Sequence, residues 1–116
     1  MNIDSIATGP LRVWASRAHP ALTSAAQRLS GAMKIPLEGV NVENVGDSDS
    51  APFVAKKIPV IDFHSLTNET LPILHSTRDQ LDAVKVDELQ SANRFLAAFL
   101  AFIDTQLPIP PPAGKR

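Results

Sequence analysis

The sequence contains no cysteine, which excludes disulfide cross-links and thiolate metal sites without locating the compartment. Nor does it carry an excess of charge: 11 Lys and Arg stand against 12 Asp and Glu, a formal charge of −1. Without a basic surplus there is little to neutralise a phosphate backbone, so no nucleic-acid partner is expected. Long apolar runs are missing too. The longest covers residues 95–103, nine in all, about half of what a membrane span requires. The first residues lack the basic stretch and apolar core of a signal peptide. There is no Gly-rich phosphate loop, no H-E-x-x-H and no G-x-S-x-G nucleophile elbow, and no internal repeat. What is present is a chain of 116 residues, 44% hydrophobic and 20% charged, a one-domain length with a globular composition.

Periodicity divides this chain into alternating strands and helices. Residues 1–6 read as a strand ended by the turn Thr8-Gly9-Pro10, and residues 11–15 as a second strand. In the second, Leu11, Val13 and Ala15 share one face and Trp14 the other. Pro20 suits a first helical turn. Leu22, Ala25, Ala26, Leu29, Ala32 and Met33 then form one apolar stripe, ending near Lys34 before Pro36. Residues 39–45 read as a strand with Val40, Val42 and Val45 as its apolar positions. A polar turn follows, from which Asp49 would cap a short helix over residues 50–57. Residues 60–63 are the most apolar extended segment and lack clean alternation, the pattern of a strand covered on both faces.

Residues 65–81 read mostly as loop. Asp87 and Gln90 are spaced as a capping box, and Leu89, Ala92, Phe95, Leu96, Phe99, Phe102 and Ile103 make a broad apolar stripe to about Gln106. Two domain segments follow: a folded part over residues 1–107 and a proline-rich flexible tail over residues 108–116. The alternation predicts a layered α/β fold, a mainly parallel sheet with flanking helices. In such sheets chemistry gathers beyond the carboxyl ends of strands.

Candidate chemistry is sparse. Of three histidines, His19 precedes a helix and reads as solvated, and His64 ends a buried strand. His75 lies in a loop with Asp79 four residues on, and such a carboxylate can hold the loop or support a metal-binding imidazole. Asp4 interrupts an apolar strand, where a carboxylate is costly unless paired or bound to a cation; it also reads as a strand-end residue capping a turn. Asp47 and Asp49 fit turn and cap positions, and Lys56 and Lys57 a solvated helix end.

In order, the chain carries Asn2-Ile3-Asp4, Ser48-Asp49-Ser50-Ala51-Pro52-Phe53, Lys57-Ile58-Pro59-Val60 and Leu74-His75-Ser76-Thr77-Arg78-Asp79, then an amphipathic helix. This constellation resembles the zinc-dependent aminopeptidases and glutaminyl cyclases of metallopeptidase family 28, with their N-[LF]-D strand, S-D-H turn, G-[IV]-P and H-[ST]-x-x-D loop. The resemblance implies the C-terminal half of a phosphorylase/hydrolase-like zinc-peptidase fold. It implies His75 as a ligand of one zinc, Asp4 as a ligand of another, Asp49 beside the substrate and Asp79 steadying the His75 loop. Ser50 departs from the family's histidine and Lys57 from its glycine.

The family's H-x-D and Glu-Glu motifs, which supply further ligands, the bridging carboxylate and the general base, are absent from this sequence. The resemblance therefore implies a C-terminal portion of a metallopeptidase, starting at an internal methionine. Alone it is expected to be inactive and to bind zinc weakly or not at all. The intact enzyme would use one or two zinc ions to hydrolyse the N-terminal residue of a peptide through a metal-activated water. Many relatives are exported, so an extracytoplasmic parent is one option that the resemblance leaves open; any export signal would lie upstream of Met1. The alternatives are a glutaminyl-cyclase-like fragment and a noncatalytic half-domain binding a protein partner. Either truncated form would expose a sheet edge open to self-association.

Overall fold

The alternation of short extended segments with apolar stripes is realised as follows in a computed structural model. In chain order the elements are β1 (Asn2–Ile3), β2 (Arg12–Val13), α1 (Pro20–Met33), β3 (Glu38–Gly39), α2 (Ala51–Ala55), β4 (Asp62–His64) and α3 (Val86–Gln106), with 3-10 turns at Leu71–Ile73 and Leu81–Ala83. The structure describes residues 1–43 and 46–106. The expected tail over 108–116 and the strand position at Val45 lie outside those residues.

The fold is mixed α/β, as the alternation predicts. Its four strands are ordered β1-β4-β2-β3. β1 pairs parallel with β4 and β2 parallel with β3, while the central β2–β4 pair is antiparallel. The sheet is thus mixed: two of its three pairings are parallel, and the central one departs from the expected parallel arrangement. The crossover through α1 gives the parallel β2–β3 pair, but β4 enters from the opposite end and lies between β1 and β2. Gly39 is the point of closest approach in β3, since a Cβ there would lie 2.9 Å from the Cβ of Ala15.

Both long helices cover one face of this sheet. Of the six-residue stripe in α1, Ala25 and Ala26 are buried, Leu22, Leu29 and Met33 are half-buried, and only Ala32 turns outward. They meet Ala92, Phe95, Leu96 and Phe99 of α3, and Val13, Ile61 and Phe63 from the sheet. Phe63 stands edge-on to Phe95 and Phe99 at centroid distances of 5.8 and 5.4 Å, a geometry that adds about 0.5–1.5 kcal/mol per pair beyond area burial. α1 ends where Lys34 takes a left-handed φ of 55° and the Ile35 N–H returns to the Ser30 carbonyl. The opposite face carries a smaller cluster of Trp14, Val42 and Leu66, flanked by Leu71 and Leu74.

Two expected caps are replaced. α2 begins after Ser50, not Asp49, and Ser50 makes no side-chain capping bond because its hydroxyl is directed to Asp62. α3 begins at Val86, so Asp87 lies inside the first turn beside Glu88. There both carboxylates complement the helix dipole instead of forming a capping box. The residue-57 departure from glycine has a simple outcome. Lys57 adopts φ 58°, so the turn keeps the left-handed conformation that glycine favours, with a lysine bearing the strain.

Candidate functional site

β4 places alternate side chains on opposite faces of the sheet. Phe63 enters the aromatic core, while Asp62 and His64 project to the other side, where a cavity of about 130 Å³ opens. Its walls come from the end of β1 (Asn2, Asp4, Ser5), the turn at Gly46, Asp47 and Ser48, and the loop at Leu74 and His75. Trp14, Val42 and Leu66 supply apolar lining, and Asp62 and His64 polar lining.

The structure brings Asp4 and His75 to this one cavity. Asp4 follows β1, its N–H bonded to the Phe63 carbonyl at 3.1 Å, and its exposed carboxylate accepts from the Ser5 hydroxyl at 3.3 Å. His75 is exposed and sits at φ 58°, a strained backbone for a residue with a Cβ. Asp49 is exposed and lines no part of the cavity; Asp47 is the acidic residue of the turn that does. Asp79 lines a neighbouring cavity of about 90 Å³ that shares Ser5, Leu66 and Leu74 with the first. Near His75 it is Ser76 that fixes the loop, donating to the Ile73 carbonyl at 2.6 Å and accepting from the Arg78 N–H at 3.1 Å.

His64 is held on both sides of its ring. Its Nε2 lies 2.8 Å from the Val40 carbonyl and its Nδ1 accepts the Leu66 N–H at 3.0 Å, which sets the neutral tautomer protonated at Nε2. Burial lowers its pKa below the usual histidine value, against an opposing effect of the Val40 hydrogen bond; the nearby Arg12 charge lowers it further, and Asp62 raises it. His64 therefore joins the β3-side loop to β4 and has no free nitrogen for a ligand.

The residue that sequence reasoning missed is Asp62. It is 3% exposed and accepts from Asn2 Nδ2 at 2.7 Å, Ser48 Oγ at 3.1 Å and Ser50 Oγ at 2.6 Å. Arg17 lies behind the serines, donating to Ser48 at 3.1 Å and Ser50 at 3.4 Å and pairing with Asp47 at 2.7 Å. Its guanidinium stacks over Trp14, 4.0 Å from the ring centroid, a cation–π contact. Arg17 also holds the Asp47 carboxyl below the usual range, with help from the Ser48 N–H. The signal for Asp62 was the one applied to Asp4, a carboxylate inside an apolar strand.

A zinc site needs about three protein donors and an open position. Among the described residues no group of three His, Cys, Asp or Glu side chains is arranged to hold a metal ion. Of the acidic and histidine side chains lining the cavity, His64 and Asp62 are engaged by hydrogen bonds and Asp47 is paired with Arg17, while Asp4 and His75 are exposed. Among the described residues no helix is long and apolar enough to cross a membrane.

Comparison with known proteins gives one finding at the level of family. No curated protein and no solved structure matches the chain. The family model described as Peptidase family M28 matches residues 1–100, a span that runs from β1 through the cavity and into α3. Family M28 is one of peptidase-type hydrolases and is generally zinc-dependent. On that match the chain belongs to peptidase family M28.

Proposed function

We propose that this chain is the C-terminal portion of a zinc-dependent, aminopeptidase-type catalytic domain, and that it is inactive by itself. The observation that carries this reading is the convergence of Asp4 and His75 on one cavity at the carboxyl ends of the parallel pair β1 and β4. Asp4 and His75 each offer one donor to a metal centre whose remaining ligands and general base come from a segment bearing H-x-D and Glu-Glu. The substrate is a peptide with a free N-terminus. Trp14, Val42 and Leu66 present it with an apolar wall that excludes water. Asp49, on the outer side of the turn, serves substrate extending past the cavity, and Asp79 steadies the loop ahead of α3.

The same reading leaves β1 as an open sheet edge, with Met1 and Ile3 each more than two-fifths exposed. The rest of the domain covers it, or in its absence a second copy does. Reading the coding DNA ahead of Met1 in the native source tests the proposal. An in-frame extension encoding H-x-D and Glu-Glu is the expected result. A stop codon with a genuine ribosome-binding site just before Met1 would instead make the chain a noncatalytic half-domain.

A further inference from the structure

We propose that Asp62 is the positioning residue of this cavity, clamping the wall that carries Asp4 to the wall that carries Asp47. The inference rests on the reading of the cavity as a binding site, and it concerns a residue outside any ligand set. Asp62 receives three hydrogen bonds, all from side chains that can donate: the Asn2 amide and the Ser48 and Ser50 hydroxyls. An ionised carboxyl group is acceptor-only, so it matches three converging donors. An amide in its place would turn an NH2 toward serine oxygens that already accept from Arg17.

The partners lie on both sides of the cavity. Asn2 belongs to β1, and Asp4 follows two residues later on the same face of the strand. Ser48 and Ser50 belong to the turn, where Asp47 is held in place by Arg17. The two walls are about 60 and 13 residues from Asp62 in the chain, and at each wall it is a side chain that makes the bond. The ladder N–H of Asn2 reaches the Ile61 carbonyl and fixes only β1 against β4. Among the described residues the turn has no strand pairing to β1, and Asp62 links the two. This also accounts for Ser50 at the family's histidine position: a short hydroxyl reaches inward to Asp62 instead of outward to the cavity.

The absence of cysteine makes the test direct. Nitroxide labels at Asp4→Cys and Asp49→Cys place one probe beyond each wall, and electron paramagnetic resonance reads the distribution of distances between them. With Asp62 intact the expected distribution is single and narrow. Asp62→Ala should broaden it at least twofold, while amide exchange in α1 and α3 stays within a factor of three of the parent. Asp62→Asn should fall between the two, and it serves as the test if the alanine variant does not fold. A role in stability alone would lower the unfolding midpoint and leave the distance distribution of the folded chain unchanged; that result would overturn the proposal. Because the readout uses neither metal nor turnover, failure of the peptidase reading would be seen separately, as a lack of hydrolysis by the intact domain.

Discussion

The two faces of β4 are built on opposite principles. Phe63 points into a dry aromatic cluster with Phe95 and Phe99, whose rings stack at 5.9 Å. Its neighbours Asp62 and His64 point the other way, and both are just as buried, at 3% and 4% exposure. On the first face stability comes from apolar area and close packing, which are non-directional and tolerate rearrangement. On the second every buried group needs a particular partner, because an unpaired polar atom costs more than a paired one returns. The consequence is a division of labour within three residues: one side chain holds the domain together and its two neighbours shape the cavity.

The comparison is broken most severely from the aromatic side. Phe95→Ala removes a fully buried ring and should destabilise the chain by about 3–5 kcal/mol, measured as a lower midpoint in urea. If the loss is under about 1 kcal/mol, the helix-covered face is not the main core. Asp62→Ala acts on the other face and should cost less, about 1–3 kcal/mol, because Ser48 and Ser50 keep each other and Arg17 as partners. A loss as large as that of Phe95→Ala would mean the polar face carries the fold as well.

Acid sharpens the contrast further. His64 has a folded-state pKa lowered by burial, so it folds neutral and binds a proton more readily when unfolded. Its contribution to stability is complete above about pH 6.5, the unfolded value, and is lost as pH falls from there through the lower folded value. One proton sets a limiting slope of about 1.4 kcal/mol per pH unit. Urea midpoints across this window should fall more steeply for the parent than for His64→Gln; equal slopes would mean that His64 is not held as described. The smallest effect belongs to the turn after α2. Lys57→Gly relieves a left-handed lysine at some cost in unfolded-chain entropy, a net gain of about 0.5–1 kcal/mol. A lower melting temperature in that variant would show that the lysine side chain contributes contacts of its own.

What could be read from the sequence follows the same division. The stripes of α1 and α3 repeat over 14 and 21 residues, long enough for a helical period to emerge, and they predict the packed face well. The strands are two or three residues long, too short for alternation to set register or direction, so the antiparallel β2–β4 pair was not legible. Asp62 stayed hidden because residues 60–63 are read for their apolar character as a whole, and its partners Asn2, Ser48 and Ser50 are distant in sequence. Asp49 and Asp47 are equally good turn residues by type. Only the fold decides which faces the cavity, through the pairing of Arg17 with Asp47.

Hydrolysis of an aminoacyl anilide in added zinc tests the central claim most directly, with this chain assayed beside a polypeptide extended to include H-x-D and Glu-Glu. The account predicts no turnover by the chain alone. It predicts zinc-dependent turnover by the longer polypeptide, abolished by His75→Ala with the fold preserved. Turnover by the chain alone, or full activity with normal zinc content in the His75→Ala variant, would contradict it.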